Sequence, residues 1–564
     1  MELQKLFFIR LITSVFWTTL LHVFPVTLYL LVTNFDIVHP IQCMRETLLK
    51  VLTVGNWFYL SPICGAVFFL GYVQFQEFMT PPVFSASRFQ ALCNLFNKNN
   101  VLKGSIYLML GFLLPVLYLG LNDNSLSKKC EDFSKHSCLN ESSVFLISSG
   151  VWTALYYFLR FDICAEKHLQ FPIIQQLKFL QIRSQIFPVL KQSLKQSTVP
   201  VFYFLPFYYW NGNGILYLFK VLFKLKNGTS TLTTVSGLFN ISIFIHAWLI
   251  SGAFFMVINM LQLMMQIHFT EHHSFQLIKQ PNSDLMLLST ALGQGNKPLV
   301  QYLGYYDLFI IATSQTSNRW QIFTLSQPGG HPHTWNALLQ ECLKLMNIFI
   351  GEIENIYKVP EPKRSPPPIP RHIHVHEFSP RGMDMTSGPT PLSPGCRLRN
   401  LVAPQPRMHV VESKTRFDLL REKINDHISE IYKNPGINYI FGEIPDAKIR
   451  FLVSNAQPII WATQSLAELS AKALVEDKFG IVLKDLPIII STLLQVKNSL
   501  DKLGNIQKKF QKLDHDICMK TALKSAVKRS LYKISIEYSD YLTDLPLSQE
   551  NFQCMQNFVN FKEC

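Results

Sequence analysis

The chain has 564 residues, of which 48% are hydrophobic and 16% are charged, and its formal net charge is +14. Soluble domains usually carry roughly 25% charged residues, so this composition argues against one large soluble enzyme. The 44 Phe residues exclude a chain that is disordered throughout, because a solvated tail carries far less apolar surface. Most of the charged residues follow residue 267, which predicts a membrane half joined to a water-soluble half.

Six apolar stretches are long enough to cross a bilayer as helices, since a hydrocarbon core of about 30 Å needs about 20 residues. They lie near residues 11–33, 52–74, 104–121, 143–159, 199–219 and 238–267. The first is longer than the core of a signal peptide and lacks a small-residue cleavage site, so we expect a retained span. The fifth is interrupted by Trp210 and an Asn-Gly run, which leaves its boundaries open and allows a re-entrant segment.

The charge distribution gives these spans an orientation. Lys and Arg are slightly more frequent on the side of the N-terminus, mainly in loop 160–198, and positive charge near span ends marks the cytosolic side. The opposite loops carry Cys130 and Cys138, which are candidates for a small disulfide ring, and glycosylation sequons at Asn140 and Asn227. We therefore predict that both ends of the chain face the cytosol.

The spans carry few groups that could serve transport. An ionisable side chain is expensive in lipid and usually marks a substrate or proton path. The six stretches hold no Asp, Glu, Lys or Arg between their ends, and their two histidines, His22 and His246, have no acidic partner in the same stretch. We interpret both histidines as hydrogen-bonded packing residues and the spans as an anchor. The alternative is a transporter or channel with a cytosolic regulatory tail.

The loop before the fifth span shows helical periodicity, with basic residues beside an apolar stripe. Two interpretations stay open: a basic amphipathic helix on the cytosolic leaflet, or an ordinary helix packed on the spans. Pro188 is expected to break or bend this helix. The candidate membrane-surface residues are Phe171, Ile173, Leu177, Lys178, Leu180, Arg183 and Phe187.

The second half is predicted to be helical on both sides of a Pro-rich linker. We expect helices at 296–313, 334–357 with Thr334 as the cap, 412–433, 455–476, 480–504, 516–540 and 547–562. The linker, 359–410, has few large apolar residues and is expected to be disordered. The predicted fold is all-α, with a six-span membrane domain (1–270), a first helical part (271–358), the linker and a C-terminal helical domain (411–564).

Two helical stripes predict buried faces in the C-terminal domain. They are Leu486, Ile489, Leu493, Val496, Leu500 and Leu503, and Leu523, Val527, Leu531, Ile534 and Tyr538. Basic residues flank the second stripe, and they would either meet acidic lipid headgroups or an acidic partner, or form a solvated helix face. These residues are Lys520, Lys524, Lys528, Arg529 and Lys533.

The sequence contains no catalytic motif and no complete metal site. His331 and His333 lie in a Pro/Gly turn without a third ligand nearby, so we interpret them as turn residues. Glycine-rich nucleotide loops, nucleophile elbows and zinc-protease motifs are missing from the sequence, and no nucleic-acid-binding signature accompanies the positive charge. We predict neither an enzyme nor a cofactor, and no direct contact with nucleic acid.

Several sequence blocks resemble the transmembrane nucleoporin of the nuclear division cycle family. They are HPIQ (39–42), FPIIQQLKF (171–179), TVSGLFNISIFIHAWL (234–249), FTLSQPGGHPHTW (323–335) and EDKFGIVLKDLPIIISTLL (476–494). The most specific block is the turn formed by Ser326, Gln327, Pro328, Gly329, Gly330, His331, Pro332 and His333.

The resemblance implies a scaffold role in nuclear pore assembly, within the membrane where the inner and outer nuclear envelopes fuse. It implies that the C-terminal half contacts soluble nucleoporins, namely inner-ring linker nucleoporins and aladin, and self-association is a further expectation. The linker is shorter than expected for vertebrate members of the family, and this difference is consistent with a divergent paralogue.

Overall fold

We analysed the protein as a computed structural model. The structure describes residues 2–35, 38–82, 84–85, 87–121, 127–129, 137–162, 169, 171, 176–223, 232, 240–279, 285–314, 316–325, 330–357, 439, 441–442, 447–503 and 515–562. The expected linker, the expected helix at 412–433, Cys130, Ile173, Asn227 and residues 326–329 of the specific turn lie outside this description.

The described chain is built almost entirely from helices, which confirms the predicted all-α class. Helices of the first half are α1 (Glu2–Leu21), α2 (Val23–Thr33), α3 (Pro40–Leu52), α4 (Val54–Met79), α5 (Arg88–Leu95), α6 (Lys98–Leu121), α7 (Glu141–Tyr157), α8 (Lys178–Phe223) and α9 (Ile241–Phe269). A π-helical turn, Phe158–Asp162, extends α7. The exception is a short antiparallel hairpin of β1 (Ser127–Lys129) and β2 (Ser137–Leu139), in which Lys128 pairs with Cys138.

Five helical segments among the described residues are long and apolar enough to cross a membrane. They are Leu3–Thr33, Val54–Met79, Lys98–Leu121, Glu141–Phe161 and Ile241–Phe269, and they coincide with five of the predicted spans. The remaining predicted span, 199–219, lies inside α8, a single helix of 46 residues. This helix continues through Pro188, so it does not break there, and the alternative expectation of a bend stays a prediction. Proline removes one backbone hydrogen bond from a helix and bends it, but the hydrogen bonds on either side can continue the helix.

Helix α9 forms the centre of the membrane-spanning bundle. Most of its residues are buried, and it packs against α1, α2, α7 and α8. Helices α6 and α7 approach closely at two glycines, where a Cβ on Gly111 would lie 2.6 Å from the carbonyl oxygen of Gly150. Small residues permit such backbone contact between membrane helices, where van der Waals packing drives association.

Both histidines of the spans hydrogen-bond inside the protein, as predicted. His22 is buried, and its Nε2 lies 2.9 Å from the hydroxyl oxygen of Tyr118. His246 Nδ1 lies 2.5 Å from the backbone carbonyl oxygen of Ser242, one turn earlier in α9. These contacts satisfy polar groups that would be costly in hydrocarbon.

The helices outside the bundle include the six predicted ones that lie in the described residues, together with three short helices that were not predicted. They are α10 (Leu288–Leu292), α11 (Pro298–Thr313), α12 (Thr316–Arg319), α13 (His333–Tyr357), α14 (Ala447–Ser454), α15 (Gln457–Glu476), α16 (Ile481–Lys502), α17 (His515–Glu537) and α18 (Gln549–Val559), with short 3-10 turns at Trp320–Phe323 and Ser539–Tyr541. Every residue of the two predicted apolar stripes is buried. Contacts group Met1–Ile356 with Glu443–Cys564 in one compact unit, and Tyr357–Gly442 in a second.

Candidate functional site

The segment that follows α9 fastens the membrane bundle to the extramembrane helices. Asp307 of α11 is fully buried, and its Oδ2 accepts the backbone N–H of Phe275 at 2.8 Å. Its Oδ1 lies 2.7 Å from Nε2 of His272. A buried carboxylate is stable only when hydrogen bonds replace its lost water. Asp307 therefore fixes the exit of the last span onto α11.

A charged cluster lies beside this connection. Glu271 Oε1 is 2.8 Å from Lys178 Nζ at the start of α8, and Oε2 is 3.9 Å from Nη2 of the buried Arg10 in α1. One carboxylate thus joins three segments that are far apart in sequence. Lys178, a candidate membrane-surface residue, is held here by protein.

Phe171 also contacts protein, whereas the membrane-surface interpretation, one of the two left open, places it at the lipid leaflet. Its ring centroid lies 5.1 Å from that of Trp461 in α15 and 5.8 Å from that of Tyr302 in α11. Edge-to-face and offset aromatic pairs of this kind stabilise packing beyond their buried area. Periodicity within one segment does not reveal partners about 130 and 290 positions away, which explains the difference.

The other described members of this segment lie on a largely exposed surface. Leu177, Leu180, Arg183 and Phe187 are exposed at the start of α8, and Phe187 is 72% exposed. Exposed apolar residues on a helix that continues into the membrane region are compatible with contact to a leaflet. A membrane-surface role for these four residues stays a prediction.

The specific turn leads directly into α13. Asn336 donates its backbone N–H to the carbonyl oxygen of Pro332 at 3.0 Å, and the helix begins at His333. Thr334 is therefore the second residue of the helix, two positions after the cap position, so its expected role as the cap is wrong. The ring centroids of His331 and His333 are 6.3 Å apart. Among the described residues, no group of three or more potential ligands could hold a metal ion.

Long-range contacts hold both flanks of this turn. Trp335 is fully buried and donates its Nε1–H to Oδ2 of Asp485 in α16 at 2.9 Å. Arg319, also buried, forms a two-pronged ion pair with Glu476 at 2.6 and 2.7 Å and donates to the carbonyl oxygen of Ala312. These hydrogen bonds from Arg319 hold the pKa of Glu476 below its usual value. The described residues on both sides of the turn are thus bound to the C-terminal helices.

The basic stripe of α17 takes part in intramolecular packing. Lys524 pairs with Asp501 of α16, and Lys533 pairs with Glu468 of α15. Lys520 donates to the carbonyl oxygen of Leu503 at 2.7 Å, and burial lowers its pKa. Arg529 is exposed and Lys528 is half-buried. Three of the five residues hold helices together, and a partner or lipid role for the stripe stays a prediction.

The α15–α16 corner is an exposed apolar surface that the sequence analysis missed. It consists of Leu474, Val475, Phe479 and Leu483, of which Val475 is 88% and Phe479 61% exposed. Contiguous exposed apolar patches often mark interaction sites. Gly480 between two helical patterns is a turn signal that could have indicated this corner.

The backbone of this corner is held firmly. Gly480 has a φ of 66°, in the left-handed region that favours glycine. Asp477 accepts the backbone N–H groups of Phe479 and Val482 at 3.0 and 2.9 Å. Phe479 therefore lies on a turn with a fixed backbone. Less conformational entropy is lost when such a turn binds a partner.

The remaining predicted positions have these locations. Cys138 lies in β2, and Asn140 precedes the first residue of α7 without capping it through its side chain. Cys130 and Asn227 lie outside the described residues, and the disulfide and both glycosylation sites stay predictions.

Comparisons with known proteins cover nearly the whole chain. The family model described as "Nucleoporin protein Ndc1-Nup" matches residues 5–556. The chain is 26% identical to Nucleoporin NDC1 of Homo sapiens over 659 aligned residues, covering 98% of this chain and 97% of that protein. It is 24% identical to Nucleoporin NDC1 of Mus musculus, with coverages of 98% and 96%. It is 25% identical to Nucleoporin Ndc1 of Drosophila melanogaster, with coverages of 98% and 97%.

Proposed function

Because this chain belongs to the Ndc1-Nup family of nucleoporins, we propose that it anchors the nuclear pore complex in the pore membrane and recruits soluble nucleoporins. The proposed partners are inner-ring linker nucleoporins and aladin, bound through the extramembrane helices. In this proposal both ends of the chain face the cytosol, and the protein acts as a scaffold without catalysis.

The observation that carries this proposal is the firm connection between bundle and extramembrane helices. An anchor must transmit force between a bilayer and a soluble assembly. A flexible linker between the spans and the extramembrane helices would transmit little force. Asp307, Glu271 and Phe171 make such a connection through a buried carboxylate, a shared ion pair and aromatic packing. Several helical spans hold a protein in the bilayer far more firmly than one surface helix does.

The α15–α16 corner is the surface that we assign to partner recruitment. Binding hot spots are enriched in aromatic side chains that enter a pocket on the partner. Phe479 is exposed and rigidly presented, and Lys472, Lys478 and Lys484 lie near it in sequence. The nearby carboxylates of Glu476, Asp477 and Asp485 accept hydrogen bonds from within the protein. Apolar residues with basic neighbours favour a partner segment that combines apolar and acidic side chains.

Location and orientation are tested together in cells. The chain carries a fluorescent protein at its C-terminus, and an antibody to that tag is applied after selective permeabilisation of the plasma membrane. Rim staining that coincides with a pore marker and is accessible to the antibody is the expected result. A reticular or plasma-membrane signal would contradict the pore location. A tag that is protected from antibody would contradict the orientation alone.

A further inference from the structure

A cavity lies where the first two spans meet the extramembrane helices. Its volume is about 640 Å³, within the range of small-molecule sites. The cavity is lined by Leu3, Gln4, Lys5, Leu6, Phe7 and Ile9 of α1, Met79 of α4, His273, Leu285, Met286, Gln294, and Lys297 and Val300 around the start of α11. The start of α1 and the end of α4 lie at the ends of two spans, so the cavity is located at the level of lipid headgroups.

The cavity adjoins the lipid-facing surface of the first span. Ile9 lines the cavity and is 60% exposed, and its neighbours Phe8 and Ile12 are exposed on the same helix. Exposed apolar residues on a membrane-spanning helix face hydrocarbon. A molecule in the cavity can therefore extend an apolar chain along Ile9 into the bilayer.

The charge of the lining is positive. Lys5 and Lys297 are exposed, and neither has an ion-pair partner among the described residues. Among the lining residues that the structure describes, none is Asp or Glu. Burial lowers the pKa of His273, and the nearby Arg10 lowers it further. His273 is thus neutral near pH 7 and offers a hydrogen bond, while the lysines supply the positive charge.

We propose that this cavity binds one anionic phospholipid, with its phosphate between Lys5 and Lys297 and an acyl chain along Ile9. Three observations support this occupant: the position of the cavity at the ends of two spans, exposed lysines without Asp or Glu among the described lining residues, and the exposed apolar side chain of Ile9 in the lining. Basic pockets beside membrane helices recognise anionic headgroups by charge, and the apolar lining accepts the glycerol and chain. The proposal depends on the membrane spans and is independent of the recruitment surface.

The test uses the full chain in detergent and native mass spectrometry to measure bound lipid. Phosphatidylserine is titrated against phosphatidylcholine with the same acyl chains. Lys5→Gln with Lys297→Gln removes the positive charge, and Leu285→Trp fills the cavity without changing charge. The matched control is Lys191→Gln with Lys195→Gln, which changes two exposed lysines of α8 outside the cavity.

The wild type is expected to retain one phosphatidylserine in preference to phosphatidylcholine. A lysine near an anionic headgroup strengthens binding about fivefold, so the Lys5 and Lys297 double variant should weaken phosphatidylserine binding about thirtyfold. Leu285→Trp should lose the bound lipid, and the α8 control should keep it.

Two results would overturn the proposal. One is unchanged phosphatidylserine binding in both the charge variant and the filled cavity. The other is an equal loss in the α8 control, which would indicate diffuse attraction to a basic surface. Because Lys5 and Lys297 are exposed, their substitution leaves the fold intact even if Leu285→Trp fails to fold.

Discussion

Arg319 and Glu476 form a two-pronged ion pair across 157 positions of sequence, with Nη2 to Oε1 at 2.6 Å and Nε to Oε2 at 2.7 Å. The unit Tyr357–Gly442 lies between them in sequence. The pair therefore joins helices from both sides of that insertion into one compact unit. The helices of 271–358 and those of the C-terminal region depend on each other for their packing.

Removing the carboxylate of this pair should destabilise the protein. Glu476→Ala leaves a guanidinium that is 1% exposed without its counter-charge, and we expect a loss of about 3 kcal/mol in the free energy of unfolding. Glu468→Ala is the matched control on the same helix, because its partner Lys533 is 37% exposed and the expected loss is below about 1 kcal/mol. Thermal unfolding of both variants in detergent measures the difference, and equal losses would contradict a special role for Arg319.

The same pair should make stability depend on pH. The pKa of Glu476 is lower in the folded protein, because Arg319 donates hydrogen bonds to the ionised form. The stabilisation is therefore complete above the unfolded pKa of about 4.3, and it is lost as pH falls through the folded value. The stability difference between wild type and Glu476→Gln should be constant from about pH 5 to 7 and shrink below about pH 4. A difference that grew on acidification would contradict this sign.

The hydrogen bond between Trp335 and Asp485 should contribute to the free energy of unfolding. Asp485→Ala leaves the buried indole N–H of Trp335 without an acceptor, which costs about 1–3 kcal/mol. Asp485→Asn retains a carbonyl acceptor and should lose markedly less. Chemical unfolding of the two variants, compared under identical conditions, measures the effect. Equal losses would show that the negative charge matters more than the hydrogen bond.

The contact between α6 and α7 requires glycine. A Cβ on Gly150 would lie 2.9 Å from Cγ of Pro115 and would also meet the carbonyl oxygen of Gly111. Gly150→Ala should therefore force the helices apart and destabilise the bundle by about 1–3 kcal/mol. Gly65→Ala is the control, since a Cβ there meets no atom within 4 Å. Melting temperatures of the two variants in detergent measure the difference. A Gly150→Ala variant that is as stable as the wild type would contradict the close approach of the helices.

The sequence predicted the elements better than their mutual contacts. Each residue of the stripe from Leu486 to Leu503 is buried, because a spacing of three and four places such residues on one helix face. The expected helix at 334–357 begins at His333, one residue early. Local periodicity and turn signals determine these features.

Contacts between distant segments could not be predicted from such local signals. Lys103 lies just before the predicted third span and is fully buried, with both carboxylate oxygens of Glu77 within 2.8 Å. A charge at a span end is usually interfacial, so only the packed helices reveal the pair. The sequence did not predict the exposed α15–α16 corner either, because apolar residues within a helical pattern are expected to be buried in the core.

Recruitment of soluble nucleoporins is the central claim, and one measurement tests it most directly. Cells depleted of this protein receive either the wild type or a Val475→Asp, Phe479→Asp variant, and the signal of aladin at the nuclear rim is quantified. Both side chains are exposed, so the variant should fold and stay at the rim. The account predicts that the wild type restores aladin at the rim and that the variant does not. Aladin that stays at the rim without this protein, or that the variant restores fully, would contradict it.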